Sequence, residues 1–207
     1  MIIVFLLQLF FKGFTELFIL DANAIPQVWR FFTAIFLHGG LAHLLYNMFA
    51  LALFGSILES LIGARRFLLV FFVTGIIANI IAVNFYSASL GASGAIFGVI
   101  GALIIVRPLL IVWAFGLPMP IFVAGILWGI GDVIGAVGYL SGNPIDDTGN
   151  IAHLSGMFFG FIFGALFRNK AKERKNITEK ADRVKIKENE MREWEDYYFK
   201  NADRLHS

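Results

Sequence analysis

The sequence predicts an all-α polytopic membrane protein with six transmembrane helices and a charged, helical C-terminal tail. Three observations lead to this fold class. First, 58% of the 207 residues are hydrophobic and only 15% are charged, which is too apolar for a soluble domain of this length. Second, the apolar residues fall into six runs. Third, 12 of the 17 lysines and arginines lie between Arg168 and Ser207. We therefore predict a membrane domain over residues 1–167 and a tail over residues 168–207.

Each apolar run approaches the roughly 20 residues that a helix needs to cross a bilayer. The runs lie at about 2–20, 41–60, 66–84, 93–106, 119–140 and 150–167. The first contains Lys12 and Glu16 but no small-residue cleavage site, so we interpret it as a retained helix and not as a signal peptide. Two further stretches are apolar but interrupted. Residues 21–40 contain Pro26, Trp29, Arg30 and His38, which favours a structured loop at the outer interface, and residues 109–120 contain Pro118 and Pro120, which favours the inner interface.

The basic residues predict the orientation of these helices. They follow the second, fourth and sixth runs, at Arg65, Arg66, Arg107 and Arg168. These positions share one face, which the positive-inside rule assigns to the cytoplasm together with both termini. The loops 85–90 and 141–149 on the opposite face contain no lysine or arginine. We expect a multi-pass integral membrane protein, which in a prokaryotic cell would lie in the plasma membrane.

The tail balances its 12 basic residues with nine acidic ones, so its charge does not indicate a nucleic-acid partner. One apolar line recurs at intervals of seven, at Ile177, Val184, Met191, Tyr198 and Leu205. Because a second apolar position per heptad is missing, we do not expect a coiled coil. We predict a surface or interfacial helix whose partner the sequence does not identify.

Polar side chains inside a bilayer are rare and costly, so each embedded one is a candidate functional residue. Helical rise places Ser93 roughly 21 Å, His153 roughly 22 Å and Asn47 roughly 18 Å above the inner surface, with His43 one turn higher than Asn47. In a hydrocarbon core about 30 Å thick, Ser93 and His153 are submerged about 8–9 Å below the outer face. The four side chains are therefore expected to share one layer.

These four residues have the chemistry of an acyl-transfer site that opens toward the outer face. A serine hydroxyl becomes a nucleophile when a neutral histidine accepts its proton, which suits Ser93 and His153. The oxyanion that follows needs preorganised donors, and the backbone N–H of Ser93, at a helix N-terminus, and the side chains of His43 and Asn47 are candidates. No acidic residue is obviously placed to orient His153, so we expect a Ser–His dyad.

No cofactor or metal is predicted. The sequence has no cysteine and no H-E-x-x-H motif. His38 and His43, five positions apart, would point about 140° away from each other on a helix, at about 100° per residue. This geometry does not suit a shared metal ion.

Glycines follow both candidate catalytic residues at helical spacing: Gly94, Gly98 and Gly101 after Ser93, and Gly156, Gly160 and Gly164 after His153. Such faces allow two helices to approach closely in lipid. A G-x-S-G motif with glycines in a membrane helix more often serves packing than catalysis, and a lone embedded histidine is often structural. The common depth of Ser93 and His153 and the two glycine faces favour a site.

Taken together, these motifs resemble the rhomboid family of intramembrane serine proteases, over a region from Trp29 to Phe167. The resemblance rests on Trp29-Arg30 in the first loop, on the spacing of His38, His43 and Asn47, on the G-x-S-G of Gly91 to Gly94 with Gly98 following, and on His153 followed by Gly156 and Gly160. Each motif alone is modest, but their order and spacing are specific.

The resemblance implies a rhomboid-like core of six helices, a Ser93–His153 dyad and an oxyanion site that includes His43 and Asn47. It implies that the substrates are transmembrane proteins in the lipid bilayer. It also implies that the first loop lies partly in the outer leaflet and that residues 141–149 form a mobile cap. The supporting residues that it implies are His38, Gly91, Gly94, Phe97, Trp29 and Arg30.

Phe97 and His38 are two of these supporting residues. Some family members carry a tyrosine four residues after the serine, where it stacks on the histidine. Phe97 occupies that position here and can stack but cannot donate a hydrogen bond. His38 matches the first histidine of the family pattern, for which the resemblance implies a structural role.

Three other classes of protein remain as alternatives. Asp132 ends a G-x-G-D string of the kind seen in intramembrane aspartyl proteases, but that chemistry needs two carboxylates and no second aspartate lies well inside a span. A buried, hydrogen-bonded aspartate is the plainer interpretation. A non-catalytic rhomboid-like scaffold that binds membrane-protein clients would typically lack Ser93 or His153, and both are present. A small transporter or channel has no particular support.

Overall fold

The structure, a computed structural model, describes residues 1–21 and 26–205. It is mostly helical and contains two short antiparallel strand pairs. The helices are α1 (Ile2–Phe10), α2 (Phe14–Phe18), α3 (Arg30–Thr33), α4 (Leu41–Ala50), α5 (Ser56–Ile62), α6 (Ala64–Ala82), α7 (Ser93–Val106), α8 (Ile121–Leu140) and α9 (Asn150–Leu205). The strands are β1 (Leu20–Asp21), β2 (Ala88–Ser89), β3 (Ile111–Ala114) and β4 (Leu117–Pro120).

Four helices in the described part of the chain are long and apolar enough to cross a bilayer. They are Leu41–Ile62, which joins α4 and α5 through a π-helical turn, α6, α8 and the segment Asn150–Arg174 of α9. They correspond to the second, third, fifth and sixth predicted spans. The chain is therefore an integral multi-pass membrane protein.

Helix α7 is the fourth predicted span and is apolar but only 14 residues long. That length corresponds to about 21 Å, less than the roughly 30 Å of a hydrocarbon core. Nine of its residues are buried, and it packs against α6, α8 and the α4–α5 helix. A short helix enclosed by longer ones can end below the membrane surface without exposing its first turn to lipid.

The prediction that residues 2–20 form one span is wrong. The chain forms α1 and α2 instead, because Phe11 is extended and Gly13 adopts a φ of 83°, in the left-handed region that ends helices. Lys12 lies in this break. Helix α1 has nine residues, about 14 Å by helical rise, which is too short to cross a bilayer alone.

The stretch 21–40 is a structured loop, as the sequence predicts, although residues 22–25 of it lie outside the described residues. Arg30 is buried, forms an ion pair with Asp21 at 2.8 Å and donates to the carbonyl of Ile19 at 3.0 Å. Asn79 on α6 donates to the carbonyl of Phe31 at 2.8 Å. These bonds fasten the loop to β1 and to α6. Its place in the outer leaflet stays a prediction.

The predicted inner-interface loop 109–120 contains a β-hairpin. Strands β3 and β4 pair from Ile111 with Pro120 to Ala114 with Leu117. The turn between them places Phe115 at φ 54° and Gly116 at φ 78°, as a two-residue turn with two positive φ angles requires. The hairpin explains why the fifth span begins at Ile121 and not at 119.

The chain divides into two compact units, Met1–Arg168 and Asn169–Ser207. The described part of the second unit is helical, with Lys170 paired to Glu173 at 3.0 Å and the rings of Trp194 and Tyr198 stacked. Leu205, the last position of the predicted apolar line, has a side chain outside the described ones. The cytoplasmic location of this unit stays a prediction.

Candidate active site

Ser93 is the first residue of α7, and the turn before it depends on glycine. Gly91 has a φ of 117°, a conformation that other residues rarely adopt, and its N–H donates to the carbonyl of Ala34 at 2.9 Å. The helix ladder begins with the N–H of Ile96, which donates to the carbonyl of Ala92. The earlier N–H groups of α7, including that of Ser93, therefore have no acceptor within the helix. The side chain of Ser93 is half-buried.

The glycine faces bring α7 and α9 into backbone contact, which confirms the predicted close approach. A Cβ atom at Gly156 would overlap the carbonyl oxygen of Gly94, and one at Gly160 would overlap that of Gly98. A Cβ atom at Gly101 would likewise overlap the carbonyl of Met157. Glycine removes the side chain that would hold the helices apart. The contact fixes the helix of Ser93 against that of His153.

His153 is buried in the first turn of α9, and its ring stacks on Phe97. The two ring centroids lie 4.2 Å apart with an interplanar angle of 6°. Phe97 lies one helical turn after Ser93 on α7. The stack therefore holds the imidazole beside the beginning of α7, and it agrees with the stacking role that the resemblance implies for Phe97.

Asp132 on α8 is also part of this cluster. Its Oδ1 lies 3.0 Å from Nδ1 of His153, and both side chains are buried. The expectation that no acidic residue is placed to orient His153 is therefore wrong. The residues are 21 positions apart on different helices, so no local spacing links them. Depth was an available signal, because Asp132 lies about 17 Å along α8 from Ile121, within about a turn of the level of His153.

His43 lies on the other side of the turn before Ser93. A Cβ atom at Gly91 would lie 2.7 Å from Cε1 and 2.9 Å from Nε2 of His43. The N–H of Gly39 donates to Nδ1 of His43 at 3.4 Å. A neutral imidazole that accepts at Nδ1 carries its proton on Nε2, so His43 presents an N–H donor toward this turn.

Asn47 is buried one turn further along α4. One amide N–H of Asn47 donates to the carbonyl of His43 at 2.8 Å, within the helix. An amide nitrogen has two hydrogens, and this bond uses one of them. The candidate donors His43 and Asn47 thus share a face of α4, as their i, i+4 spacing predicts.

His38 packs behind His43. Their ring centroids lie 5.2 Å apart at 67°, and Nδ1 of His38 lies 3.2 Å from the carbonyl of Phe36. Gln8 on α1 bonds to both the N–H and the carbonyl of His38. Burial, followed by the proximity of His43, lowers the pKa of His38 to about 4. A neutral, buried ring that supports His43 fits the structural role that the resemblance implies.

We expect His38 to make the fold sensitive to acid. Because the pKa of His38 is lower in the folded protein than in the unfolded chain, its contribution to stability is complete above about pH 6.5 and is lost as the pH falls toward 4. Thermal unfolding of wild type and His38→Gln in detergent between pH 7.5 and 4 checks this. The wild type should lose more of its Tm than the variant, and equal losses would contradict the prediction.

The remaining supporting residues lie in the first loop. Arg30 is the buried ionic anchor of that loop, whereas Trp29 is half exposed. Among the described residues, no group of three or more His, Cys, Asp or Glu side chains is arranged to hold a metal ion.

The loop 141–149 leads into α9 beside the candidate site. Oδ1 of Asp146 accepts hydrogen bonds from the N–H of Thr148 at 2.9 Å and from the amide of Asn150 at 3.0 Å. The bond from Thr148 is the main reason that the pKa of the Asp146 carboxyl is lowered. The hydroxyl of Tyr86 accepts from the N–H of Ile151 at 3.0 Å and so joins the loop after α6 to the start of α9. The mobility of this loop stays a prediction.

Comparison with known proteins shows which proteins the chain is similar to. RHOMBOID-like protein 7 of Arabidopsis thaliana is 34% identical over 148 residues, which cover 68% of this chain and 43% of that protein. Rhomboid protease GlpG of Haemophilus influenzae is 31% identical over 155 residues, covering 74% of this chain and 75% of GlpG. Inactive RHOMBOID-like protein 8 of Arabidopsis thaliana is 35% identical over 80 residues, which cover 38% of this chain and 23% of that protein.

The matches to the first plant relatives cover less than half of those proteins' length. The family model for the Rhomboid domain matches residues 26–170, well over half of the chain and all of the residues described above as the candidate site. The chain therefore belongs to the rhomboid family.

Proposed function

We propose that this protein is an intramembrane serine endopeptidase that hydrolyses peptide bonds in or near the transmembrane segments of other membrane proteins. One observation carries the proposal. The ring of His153 stacks on Phe97 one turn from Ser93, so the G-x-S-G and histidine motifs of a rhomboid protease meet at the buried start of α7. The relative GlpG, which spans a similar length, is named a rhomboid protease.

In the proposed mechanism, Oγ of Ser93 attacks the carbonyl carbon of the scissile bond while Nε2 of His153 takes the hydroxyl proton. The carbonyl oxygen becomes an oxyanion, which the backbone N–H of Ser93 and the side chains of His43 and Asn47 stabilise. The C–N bond then breaks, and the proton on His153 passes to the departing amine. Water then attacks the carbonyl carbon of the acyl-enzyme and gives a proton to His153. The ester bond to Oγ of Ser93 breaks, His153 returns that proton to Oγ, and the carboxyl product leaves.

Water must reach this site from the outer side of the membrane. The shortness of α7 supports this access, because 14 residues span about 21 Å, less than the roughly 30 Å of a hydrocarbon core, so Ser93 can lie below the outer surface. We propose that the site opens to the outer face and that the chain termini are cytoplasmic, in the plasma membrane if the cell is prokaryotic. Single-span substrates would then be cut near the outer end of their transmembrane helix, where the helix can unwind.

The test is cleavage of a single-span membrane protein by the purified full chain in liposomes, with the product termini determined by mass spectrometry. We expect cleavage within or just outside the outer third of the transmembrane segment. Cleavage at the inner end would contradict the proposed opening, and binding without cleavage would contradict the proposed activity.

A non-catalytic scaffold is the alternative function, and one relative is named inactive. The presence of both Ser93 and His153, and the stack that orients the histidine, favour the enzyme. The liposome experiment separates the two, because a scaffold would retain the substrate intact.

The Phe97 stack gives a prediction of intermediate size. Phe97→Ala removes one of the contacts that hold the ring of His153, so we expect kcat to fall about 10-fold to 100-fold, a loss of about 1.4–2.7 kcal/mol in transition-state stabilisation. Phe97→Tyr keeps the stack and should retain activity within about threefold of wild type. Steady-state cleavage in liposomes measures both, and full activity of Phe97→Ala would contradict the role of the stack.

A further inference from the structure

The Asp132–His153 pair is the feature of the site that the family motifs do not contain. Asp132 is a carboxylate in the middle of an apolar helix, and it is buried with its Oδ1 3.0 Å from Nδ1 of His153. Its Oδ2 is buried with no hydrogen-bond partner among the described residues. Burying a carboxyl group with half of its hydrogen-bonding capacity unused is costly, so the position calls for a function.

A serine protease imposes a requirement that this pair meets. His153 can accept the proton of Ser93 at Nε2 only if Nε2 is unprotonated, which in a neutral imidazole places the hydrogen on Nδ1. A carboxylate at Nδ1 accepts that hydrogen and selects this tautomer. When Nε2 takes the serine proton, the same carboxylate stabilises the resulting imidazolium.

The stack on Phe97 cannot meet this requirement alone. Parallel stacking fixes the plane of the imidazole. A 180° flip of the ring within that plane's orientation exchanges the positions of its nitrogen and carbon atoms but leaves the plane unchanged. The hydrogen bond to Asp132 distinguishes the two orientations, because only one of them places Nδ1 against Oδ1. Phe97 and Asp132 thus constrain the ring in two independent ways.

We propose that Asp132 is a positioning residue, which holds His153 as its Nδ1–H tautomer, so that the site is a Ser93–His153–Asp132 arrangement and not the dyad that the sequence predicts. This inference rests on the proposed function. It does not make Asp132 a catalytic acid or base. Among the described residues its carboxyl group is hydrogen-bonded to His153, and it acts through that ring.

The tautomer of His153 in the wild-type protein is the direct test. Nitrogen NMR of the full chain labelled with ¹⁵N-histidine in nanodiscs, with the His153 signals assigned by their loss in His153→Ala, should show Nδ1 protonated and Nε2 unprotonated. A proton on Nε2 in the neutral ring would overturn the proposal, because Asp132 would then be the donor. This measurement uses the wild-type protein and so does not depend on whether an Asp132 variant folds.

Steady-state kinetics of an Asp132 variant are the second test. Asp132→Asn keeps the shape of the side chain but can present an N–H to Nδ1, so the Nδ1–H tautomer should be lost and kcat should fall about 10²-fold to 10³-fold, with KM within about twofold. Glu59→Gln, an isosteric change at an exposed acid on α5, is the matched control and should match wild type. If Asp132 has only a structural role, Asp132→Asn will have a lower Tm than wild type. The tautomer of His153 and the kcat of the folded protein will then be the same in both.

The outcomes distinguish this inference from the proposed function. If Ser93→Ala retains cleavage, the proposed function fails, whatever Asp132→Asn does. If Ser93→Ala is inactive while folded Asp132→Asn has the kcat and the tautomer of wild type, the enzyme stands and the positioning role is overturned.

Discussion

Replacing Ser93 with alanine is expected to reduce cleavage by at least about 10⁴-fold, the largest effect of any single change in this protein. The hydroxyl is the only group that the proposed mechanism uses to form the covalent intermediate, and loss of the nucleophile in serine proteases costs up to about 10⁶ in kcat. The rate should be measured with purified protein and a single-span substrate in liposomes. Ser60→Ala is a matched control, since the Ser60 hydroxyl is exposed and donates to the carbonyl of Ile57 in its own helix.

His153→Ala should fall to a similar rate, and the double variant should be no slower than either single one. Nucleophile and base act as a unit, so removing the second after the first costs little. Losses that multiply in the double variant would indicate two independent roles and would contradict the assignment of His153 as the base of Ser93.

The second large effect concerns the backbone contact between α7 and α9. Gly156→Ala adds a Cβ atom that overlaps the carbonyl oxygen of Gly94, which is helix backbone and cannot rotate away. Overpacking of a close-packed interior typically costs about 1–3 kcal/mol, and a clash with backbone belongs at the upper end of that range. We expect a marked fall in Tm, together with reduced cleavage at temperatures where the protein stays folded, because Ser93 and His153 lie on the two helices that are pushed apart.

The chain offers a close control for this change. Gly129 lies in α8 with no atom within 4 Å of the position that a Cβ would take. Gly129→Ala should therefore leave the Tm unchanged or raise it slightly, because alanine favours a helix more than glycine does. Thermal unfolding of both variants in detergent measures the difference, and equal Tm values would contradict the role of the glycine contact.

Much of the candidate site could be predicted because, in a membrane-spanning helix, the position of a residue in the sequence determines its depth in the bilayer. Ser93, His153, His43 and Asn47 interrupt apolar runs at nearly one level, and few other polar residues do. The stack of Phe97 on His153 was implied by the family resemblance, and the spacing of four residues adds only that Phe97 and Ser93 lie on one face of the helix. Such arguments need only the helical rise and a marker of the membrane surface.

Asp132 illustrates what depth alone leaves out. Its level was readable from the sequence, but the direction in which its side chain points depends on how α8 is rotated against α9, and no local pattern encodes that rotation. The break in the first predicted span has a different cause. The mean hydropathy of a window that contains Phe11, Lys12 and Gly13 stays high, so it does not reveal a break. The left-handed conformation of Gly13 nevertheless ends the helix there.

The hairpin of β3 and β4 was missed for a related reason. Leu109 to Pro120 has the apolar composition of a membrane interface and two prolines, which argue against regular structure. Phe115 and Gly116 form the turn, and of these two residue types only glycine is commonly found at a positive φ. A phenylalanine in the left-handed region is a tertiary outcome and not a sequence signal.

The central claim is that Ser93 is the nucleophile and that His153 activates it. A serine-directed fluorophosphonate forms a covalent bond with an activated hydroxyl, and mass spectrometry of the digested protein locates the adduct. The account predicts one adduct, on Ser93, in the wild type, with labelling reduced at least about 100-fold in His153→Ala. An adduct on a different residue, or undiminished labelling of Ser93 in His153→Ala, would contradict it.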